Sequence, residues 1–274
     1  MNPTIETTYT VTGTDTNGCH STVSKVLNVE PLPNIQVLGA RTICAGQSTT
    51  LTATGGSKYV WSTQDTINSI VVSPTQSQSY VVTVTNAYGC VASGAVTVTV
   101  NSLPQLTFNG NTTICAGNTT TITAIGANSY SWSTGAQTAN INVSQAGVYY
   151  VTATNAQNCS RTDSVLVTVN PKPQAQIAGS NHICSGTVAT LTASGANSYH
   201  WSTDEVSAEI SISPSSNTTY TVTGYDTNGC YTTVQKVVNV EDVPVVQILG
   251  ERTICQGQST VLTALGGTSY LWRQ

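Results

Sequence analysis

Four tryptophans recur at almost equal intervals, and this periodicity restricts the fold more than any other feature of the chain. Trp stands at positions 61, 132, 201 and 272, and four tyrosines, each ten residues before a cysteine, recur at the same interval. Self-similarity at a fixed period is the signature of an array of equal structural units. The sequence therefore predicts a row of modules of about 70 residues.

Composition favours β-structure throughout the chain. Thr and Val together account for 80 of the 274 residues, whereas only 7% of residues are charged. β-Branched side chains suit a pleated, half-buried surface and lose rotamer freedom in helices. A formal charge of −4, with only eight Lys and Arg residues, leaves no basic surface for nucleic acid. No apolar run approaches the roughly 18–20 residues of a membrane-spanning helix. We expect an all-β protein that has no nucleic-acid partner and no membrane span.

Within each module, short alternating segments are separated by Gly, Asn and Pro. About seven short strands in about 70 residues are typical of a two-sheet sandwich. In such a sandwich the large aromatic side chains fill the core. For the first module we predict strands at 35–38, 49–53, 59–61, 70–72, 80–85 and 96–100. The predicted core residues of the whole chain are Trp61, Trp132, Trp201, Trp272, Tyr80, Tyr149 and Tyr220.

Several of these residues resemble an immunoglobulin domain. The segment 46–53 (Gly-Gln-Ser-Thr-Thr-Leu-Thr-Ala) looks like the second strand of that fold. Trp61 falls where the third-strand Trp belongs, and Tyr80 resembles the tyrosine corner. The two core cysteines of the family would fall at Ala53 and Val82, so the usual inter-sheet disulfide is absent. The resemblance implies a tandem array of seven-stranded immunoglobulin-like β-sandwiches.

Recurring phrases extend the resemblance along the whole chain. Thr-Ile-Cys-Ala-Gly, Trp-Ser-Thr-Gly and Thr-Asn-Gly-Cys are similar to the tandem immunoglobulin-like repeats of giant surface adhesins of gliding bacteria. Those proteins are commonly exported by the type IX system. The resemblance therefore implies an extracellular, cell-surface location, and it implies no particular ligand.

The repeats divide the chain into three complete modules and two halves. Residues 2–63 align without gaps on 213–274, with 39 of 62 positions identical, so the larger repeat is three modules long. We predict immunoglobulin-like domains at residues 32–102 (module 1), 103–171 (module 2) and 172–242 (module 3), the back half of a domain at 1–31 (the head), and the front half of another at 243–274 (the tail).

The two halves suggest self-association. A half sandwich exposes a row of unpaired backbone groups and half a core. If the tail of one molecule and the head of the next complete a shared domain, the contacts are heterologous and grow an open filament. The alternative is an arbitrary cut through a longer array. Between Trp and the following Tyr, joined halves supply 11 steps where intact modules have 17–19, so the joined domain lacks an edge strand. Both interpretations stay open.

The eight cysteines carry the main chemistry of the chain. They stand at positions 19, 44, 90, 115, 159, 184, 230 and 255, so that a short interval alternates with a long one. An even number at regular spacing in a Lys-poor, Thr-rich chain predicts disulfides and an oxidising, extracellular compartment. A module with one Trp builds only a marginal core, so covalent links have a stabilising role. Free thiols or a metal site are alternatives to disulfides. Pairing within modules would give Cys44–Cys90, Cys115–Cys159 and Cys184–Cys230.

The strand topology favours pairing between modules. Cys44 would lie at the end where the chain leaves the domain, and Cys90 at the opposite end. About seven strand residues, or about 23 Å, would separate them, whereas a disulfide needs Cα atoms within about 7 Å. A first strand that crosses between the sheets early would instead favour pairing within modules. The between-module scheme gives Cys44–Cys159 and Cys115–Cys230, and in a filament Cys184 with Cys19, and Cys255 with Cys90, of the next chain.

No group of residues suggests catalysis. His20, His182 and His200 occupy non-equivalent positions of the repeat, and no Gly-x-Ser-x-Gly segment is present. We expect no enzyme activity and no cofactor. His20 beside Cys19 and His182 near Cys184 allow a zinc interpretation, and linker carboxylates allow a calcium one. Hydrated surface groups are the simpler interpretation of these residues.

The sequence thus favours an extracellular structural protein. A row of disulfide-linked sandwiches would form a rod, either as part of a surface adhesin or as a head-to-tail filament. The alternative is a carbohydrate-binding or spacer region of a large secreted hydrolase, for which surface glycans would be the partners.

Overall fold

A computed structural model describes residues 2–274, and within them all regular structure is β-strand. Module 1 forms two sheets, one of three strands in the order β3-β5-β7 and one of four in the order β4-β9-β8-β6. The expected fold class, tandem seven-stranded immunoglobulin-like sandwiches, is confirmed. The strands of module 1 are β3 (Gln36–Leu38), β4 (Thr42–Cys44), β5 (Thr49–Thr54), β6 (Lys58–Trp61), β7 (Ser69–Val72), β8 (Gln78–Thr85) and β9 (Val91–Asn101).

Modules 2 and 3 repeat the same strand order in both sheets. In module 2 the strands are β10 (Thr107–Asn109), β11 (Thr113–Cys115), β12 (Thr120–Ile125), β13 (Ser129–Trp132), β14 (Asn140–Val143), β15 (Gly147–Thr154) and β16 (Ser160–Asn170). In module 3 they are β17 (Gln176–Gly179), β18 (His182–Cys184), β19 (Ala189–Ser194), β20 (Ser198–Trp201), β21 (Glu209–Ile212), β22 (Thr218–Tyr225) and β23 (Tyr231–Glu241).

The head and the tail contain only part of this set. The head is one antiparallel hairpin, β1 (Thr7–Thr14) with β2 (His20–Leu27), equivalent to the last two strands of a complete module. The tail pairs β24 (Gln247–Leu249) with β25 (Thr263–Leu265), equivalent to the first and third strands. Within residues 2–274, no helix has the length and apolar character needed to cross a membrane.

The first strand of each complete module crosses from one sheet to the other. In module 1, β3 pairs antiparallel with β5, and three residues later β4 pairs parallel with β9. Gly39 lies at the crossing with φ of 132°, and a Cβ there would collide with the carbonyl oxygen of Thr50. Only Gly adopts this conformation readily. The strand Thr42–Cys44 is absent from the sequence prediction, which gave no strand between 35–38 and 49–53.

The core of each module surrounds its Trp. Trp61, Trp132 and Trp201 are at most 3% exposed, and each Nε1 donates a hydrogen bond to the carbonyl six residues later, at 2.9 to 3.0 Å. Ala53 and Val82, where immunoglobulin domains carry cysteines, are fully buried. Their small apolar side chains therefore fill the place of the inter-sheet disulfide.

Three aromatic positions differ from the expected core pattern. Trp272 is 52% exposed, because residues 243–274 lack the strands that cover the equivalent Trp in complete modules. Tyr149 is only half-buried, and it follows a connection of three residues where module 1 has five. Tyr80 is buried, but its hydroxyl donates to Gln78 Oε1 at 3.4 Å, a side chain, whereas a tyrosine corner bonds to backbone.

The described chain divides into two compact units. One comprises the residues up to Asn109 with Thr123–Ile141 and Tyr149–Val165, and the other comprises Gly110–Ile122, Asn142–Val148 and Leu166–Gln274. The domain boundaries given above stay predictions.

Candidate functional site: the cysteine-bearing junctions

The turn between the last two strands of each module is built around one Asx side chain. In module 2, Asn155 Oδ1 accepts hydrogen bonds from the backbone N–H groups of Gln157 and Cys159, at 3.1 and 3.0 Å. Asn155 N–H also donates to the Cys159 carbonyl at 3.0 Å. Such Asx turns fold the chain back locally. They hold the cysteine at a fixed position at this end of the sandwich.

The same asparagine binds the linker that enters its module. Asn155 Nδ2 donates to the Ser102 carbonyl at 2.8 Å. Asn86 in module 1 repeats the contact with the Pro31 carbonyl, at 2.9 Å. These linker contacts were not predicted from the sequence. A signal was available, because Asn or Asp stands four residues before each turn cysteine: Asp15, Asn86, Asn155 and Asp226.

The other cysteine of each module lies at the opposite end of the sandwich. Cys44 ends β4, where it stands opposite Asn101, the last residue of β9. The next residue, Ala45, donates its N–H to the Asn101 carbonyl at 2.8 Å. Cys115 opposite Asn170 and Cys184 opposite Glu241 repeat this arrangement. The linker to the following module begins directly after these paired residues.

Two disulfides link these ends between consecutive modules. Cys44 is bonded to Cys159 and Cys115 to Cys230, in both cases with a Cα–Cα distance of 5.5 Å and a sequence separation of 115. Cys159 and Cys230 are at most 1% exposed. These are the two pairs of the between-module scheme.

Pairing within a module does not fit this geometry, although the first strand does cross between sheets. Cys44 stands opposite Asn101, whereas Cys90 directly precedes Val91, at the other end of the 11-residue strand β9. At about 3.3 Å per residue, about 33 Å separates the two ends. The crossing moves Cys44 to the sheet that contains β9 but leaves it far from Cys90.

Four cysteines have no disulfide partner in the described chain. Cys19, Cys184 and Cys255 are exposed, and Cys90 is half-buried. Cys19 and Cys90 occupy turn positions equivalent to Cys159, and Cys184 and Cys255 occupy positions equivalent to Cys44. The Cys90 thiol lies 3.9 Å from the Glu30 carbonyl oxygen.

Polar side chains near the cysteines do not converge on a metal site in residues 2–274, where no three His, Cys, Asp or Glu residues lie together. His182 Nδ1 lies 3.6 Å from Glu241 Oε1, and both side chains are more than half exposed. His20 and His200 are on strands β2 and β20, in the head and in module 3 respectively.

One buried titratable group stands out in module 3. Burial, and secondarily the negative charge of Glu205, raises the pKa of Tyr220 above its ordinary value near 10. Both effects favour the neutral phenol.

Comparison with known proteins adds fold-level similarities only. No family model matches the sequence, and no curated protein does either. One similar solved structure is a Ca2+-stabilized adhesin that helps an Antarctic bacterium reach out and bind ice, at 14% identity and TM-score 0.36, covering 85% of this chain and 81% of that one. A titin I-band fragment, I67-I69, is 13% identical with TM-score 0.37 over 78% of this chain and all of the fragment. An ICAM-5 D1-D4 ectodomain fragment is 10% identical with TM-score 0.37 over 86% and 84%.

Proposed function

We propose that this chain is an extracellular structural repeat protein that keeps a row of immunoglobulin-like modules mechanically connected. The observation that carries the proposal is the pair of disulfides between consecutive modules, Cys44–Cys159 and Cys115–Cys230. Disulfides persist in oxidising compartments outside the cell. Their position between modules, at the linkers, resists bending and separation of neighbours.

The surface chemistry is consistent with this role. Only 7% of residues are charged, and the outer faces of the hairpins carry paired hydroxyl side chains. Thr83 with Ser93, Thr152 with Thr162 and Thr223 with Thr233 are hydrogen-bonded across strands at 2.8 to 3.1 Å. A sparsely charged, hydroxyl-rich exterior suits a surface adhesin, and its hydroxyl groups can form hydrogen bonds with surface glycans.

We also propose that copies of the chain associate head to tail through the two half modules. The head supplies the last two strands of a sandwich and the tail supplies its first strands. Core residues that are buried in complete modules are exposed in both halves: Val11 at 62%, Leu27 at 45%, Ile254 at 50%, Leu262 at 47% and Trp272 at 52%. Joining the halves of two copies would bury these residues and pair both edges of the head hairpin.

Electron microscopy of the oxidised 274-residue chain, combined with peptide mapping under non-reducing conditions, tests both the disulfide-linked array and the self-association. The array proposal expects cross-linked peptides containing Cys44–Cys159 and Cys115–Cys230, and a Cys44–Cys90 peptide would reject it. Self-association expects filaments whose repeat is three complete modules and one joined one. Isolated particles with glycan affinity would instead support a carbohydrate-binding region of a larger secreted enzyme.

A further inference from the structure

The head and module 1 already form a junction that lacks only one strand. Asn86 binds the Pro31 carbonyl as Asn155 binds the Ser102 carbonyl. Glu30 occupies the position of Asn101, and Cys90 occupies the position of Cys159. In the complete junction, the strand opposite Asn101 carries Cys44, the partner of Cys159. In the head, no described strand lies opposite Glu30.

The missing strand has a defined sequence type. In every complete module it is a Thr/His-Ile-Cys segment that pairs in parallel with the end of the last strand: Thr42–Cys44, Thr113–Cys115 and His182–Cys184. The chain contains a fourth such segment, Thr253-Ile254-Cys255, and it is not in a strand. The three others are already paired within their own modules. Residues 253–255 are therefore the one described segment of this type that is free to pair.

The apolar side chains on both halves set the same register. Trp61, Trp132 and Trp201 stand opposite Val82, Val151 and Val222, all fully buried. The equivalents in the half modules are Trp272 and Val11, which are 52% and 62% exposed. Placing Trp272 of one copy opposite Val11 of another also brings residues 253–255 beside residues 28–30.

We propose that a second copy of this chain docks its residues 253–255 in parallel beside residues 28–30 of the first, and that Cys255 of that copy then forms a disulfide with Cys90. The inference rests on the proposed head-to-tail association and adds the strand register that brings the expected Cys90–Cys255 pair together. The Gln256 N–H donates to the Glu30 carbonyl, as Ala45 does to Asn101. The Cys90 thiol, 3.9 Å from that carbonyl, is then next to the incoming cysteine.

The bond forms by exchange with a small-molecule disulfide as the oxidant. The Cys90 thiolate attacks the oxidant, forms a mixed disulfide and releases one small thiolate. The Cys255 thiolate then displaces the second small thiolate and completes the Cys90–Cys255 bond. The two cysteines are oxidised by two electrons, the oxidant is reduced to two small thiols, and these take up the two protons that the cysteines lose.

A complementation experiment tests the Cys90–Cys255 disulfide between copies. The background is Cys19→Ser/Cys184→Ser, which removes the other candidate link between copies. One chain also carries Cys90→Ser and the other also carries Cys255→Ser. The reduced chains are oxidised with glutathione disulfide, each alone and as an equimolar mixture. Either variant alone has only one cysteine of the pair and stays a covalent monomer on a non-reducing gel. An equimolar mixture gives a covalent dimer of one chain of each kind that does not extend, and mapping finds its Cys90–Cys255 peptide.

Two results would contradict this disulfide between copies. One is a mixture that stays covalently monomeric while sedimentation shows that the chains associate, which leaves head-to-tail association standing. The other is a Cys90–Cys184 peptide from oxidised wild-type chain, which would place module 3 directly against module 1. Absence of association in sedimentation, with all variants folded by circular dichroism, would contradict the underlying self-association proposal instead.

Discussion

Asn155 Nδ2 donates a hydrogen bond to the carbonyl oxygen of Ser102, at 2.8 Å, and so ties the last turn of module 2 to the linker from module 1. The same turn holds Cys159, which is bonded to Cys44 of module 1. The hydrogen bond therefore positions the turn cysteine for its partner.

Asn155→Asp separates the two roles of this side chain. The carboxylate keeps the acceptor oxygen that builds the turn but has no N–H to donate to Ser102, so the unfolding free energy should fall by about 1 kcal/mol. The Cys44–Cys159 bond should also form more slowly, which timed alkylation and peptide mapping of the reduced chain would detect. Asn155→Ala, which removes both roles, should cost more. An unchanged rate in Asn155→Asp would mean that the linker contact does not guide pairing.

Removing the first disulfide should destabilise both modules that it joins. Cys44→Ser/Cys159→Ser should lower the unfolding free energy by about 2–4 kcal/mol, since a closed loop no longer restricts the unfolded chain. Urea unfolding followed by Trp fluorescence measures the change. The difference from wild type should vanish in reducing buffer, which is the matched control. Equal midpoints under oxidising conditions would contradict a stabilising role for the bond.

The turn after each Trp contains a left-handed residue three positions later. Gln64 has φ of 71° and Asp204 has φ of 70°, and the equivalent residue in module 2 is Gly135 at 87°. A side chain is strained in this region, whereas Gly is not. Gln64→Gly relieves about 1–2 kcal/mol of left-handed strain, and the greater freedom of Gly in the unfolded chain offsets about 0.5–1 kcal/mol of this gain. Module 1 should therefore be stabilised by about 0.5–1 kcal/mol, and Gly135→Gln should destabilise module 2 by a similar amount. Thermal unfolding of both variants checks the opposite signs.

Tyr220 should make module 3 sensitive to alkaline pH. Burial, followed by the Glu205 charge, raises the pKa of its phenol in the folded state. This contribution to stability is complete below the unfolded pKa of about 10 and is lost as pH rises through the folded pKa. Tyr220→Phe should flatten the loss of unfolding free energy above about pH 10. Tyr88→Phe, which alters a 69% exposed ring, is the control, and equal slopes in the two variants would contradict the assignment.

Pulling on the two chain ends should show how much the disulfides shorten the fully stretched chain. Between Cys44 and Cys230 the shortest covalent path in the oxidised chain crosses both disulfides, from Cys44 to Cys159, back along the backbone to Cys115, and on to Cys230. This path, together with the segments before Cys44 and after Cys230, should give a fully stretched length of about 480 Å, against about 980 Å after reduction. Single-molecule force spectroscopy measures both lengths. A reduced-type length in oxidised samples would contradict the pairing.

The repeating features of the fold could be predicted from the sequence, whereas features that depend on contacts between distant segments could not. Trp61 and its equivalents were predicted as core residues because a large side chain at a fixed interval needs one environment in every module. The strand Thr42–Cys44 was missed because so short a segment cannot show alternation, and its partner strand β9 is the last strand of the module. The turn asparagines were missed because their role depends on a linker that packs against them only after folding. Trp272 was placed in a core by its position in the repeat alone, although the same repeat assigns residues 243–274 to a front half without the covering strands.

The two disulfides overlap along the chain, since Cys115 lies between Cys44 and Cys159, and Cys159 lies between Cys115 and Cys230. Any single backbone break from residue 44 to residue 230 is therefore bridged by at least one of them. A protease that cleaves one exposed loop in this stretch cannot release either fragment. Damage tolerance is thus built into the covalent connectivity of the chain. Separating residue 44 from residue 230 requires three backbone cuts, one in each of 44–115, 115–159 and 159–230, or a reductant together with one cut.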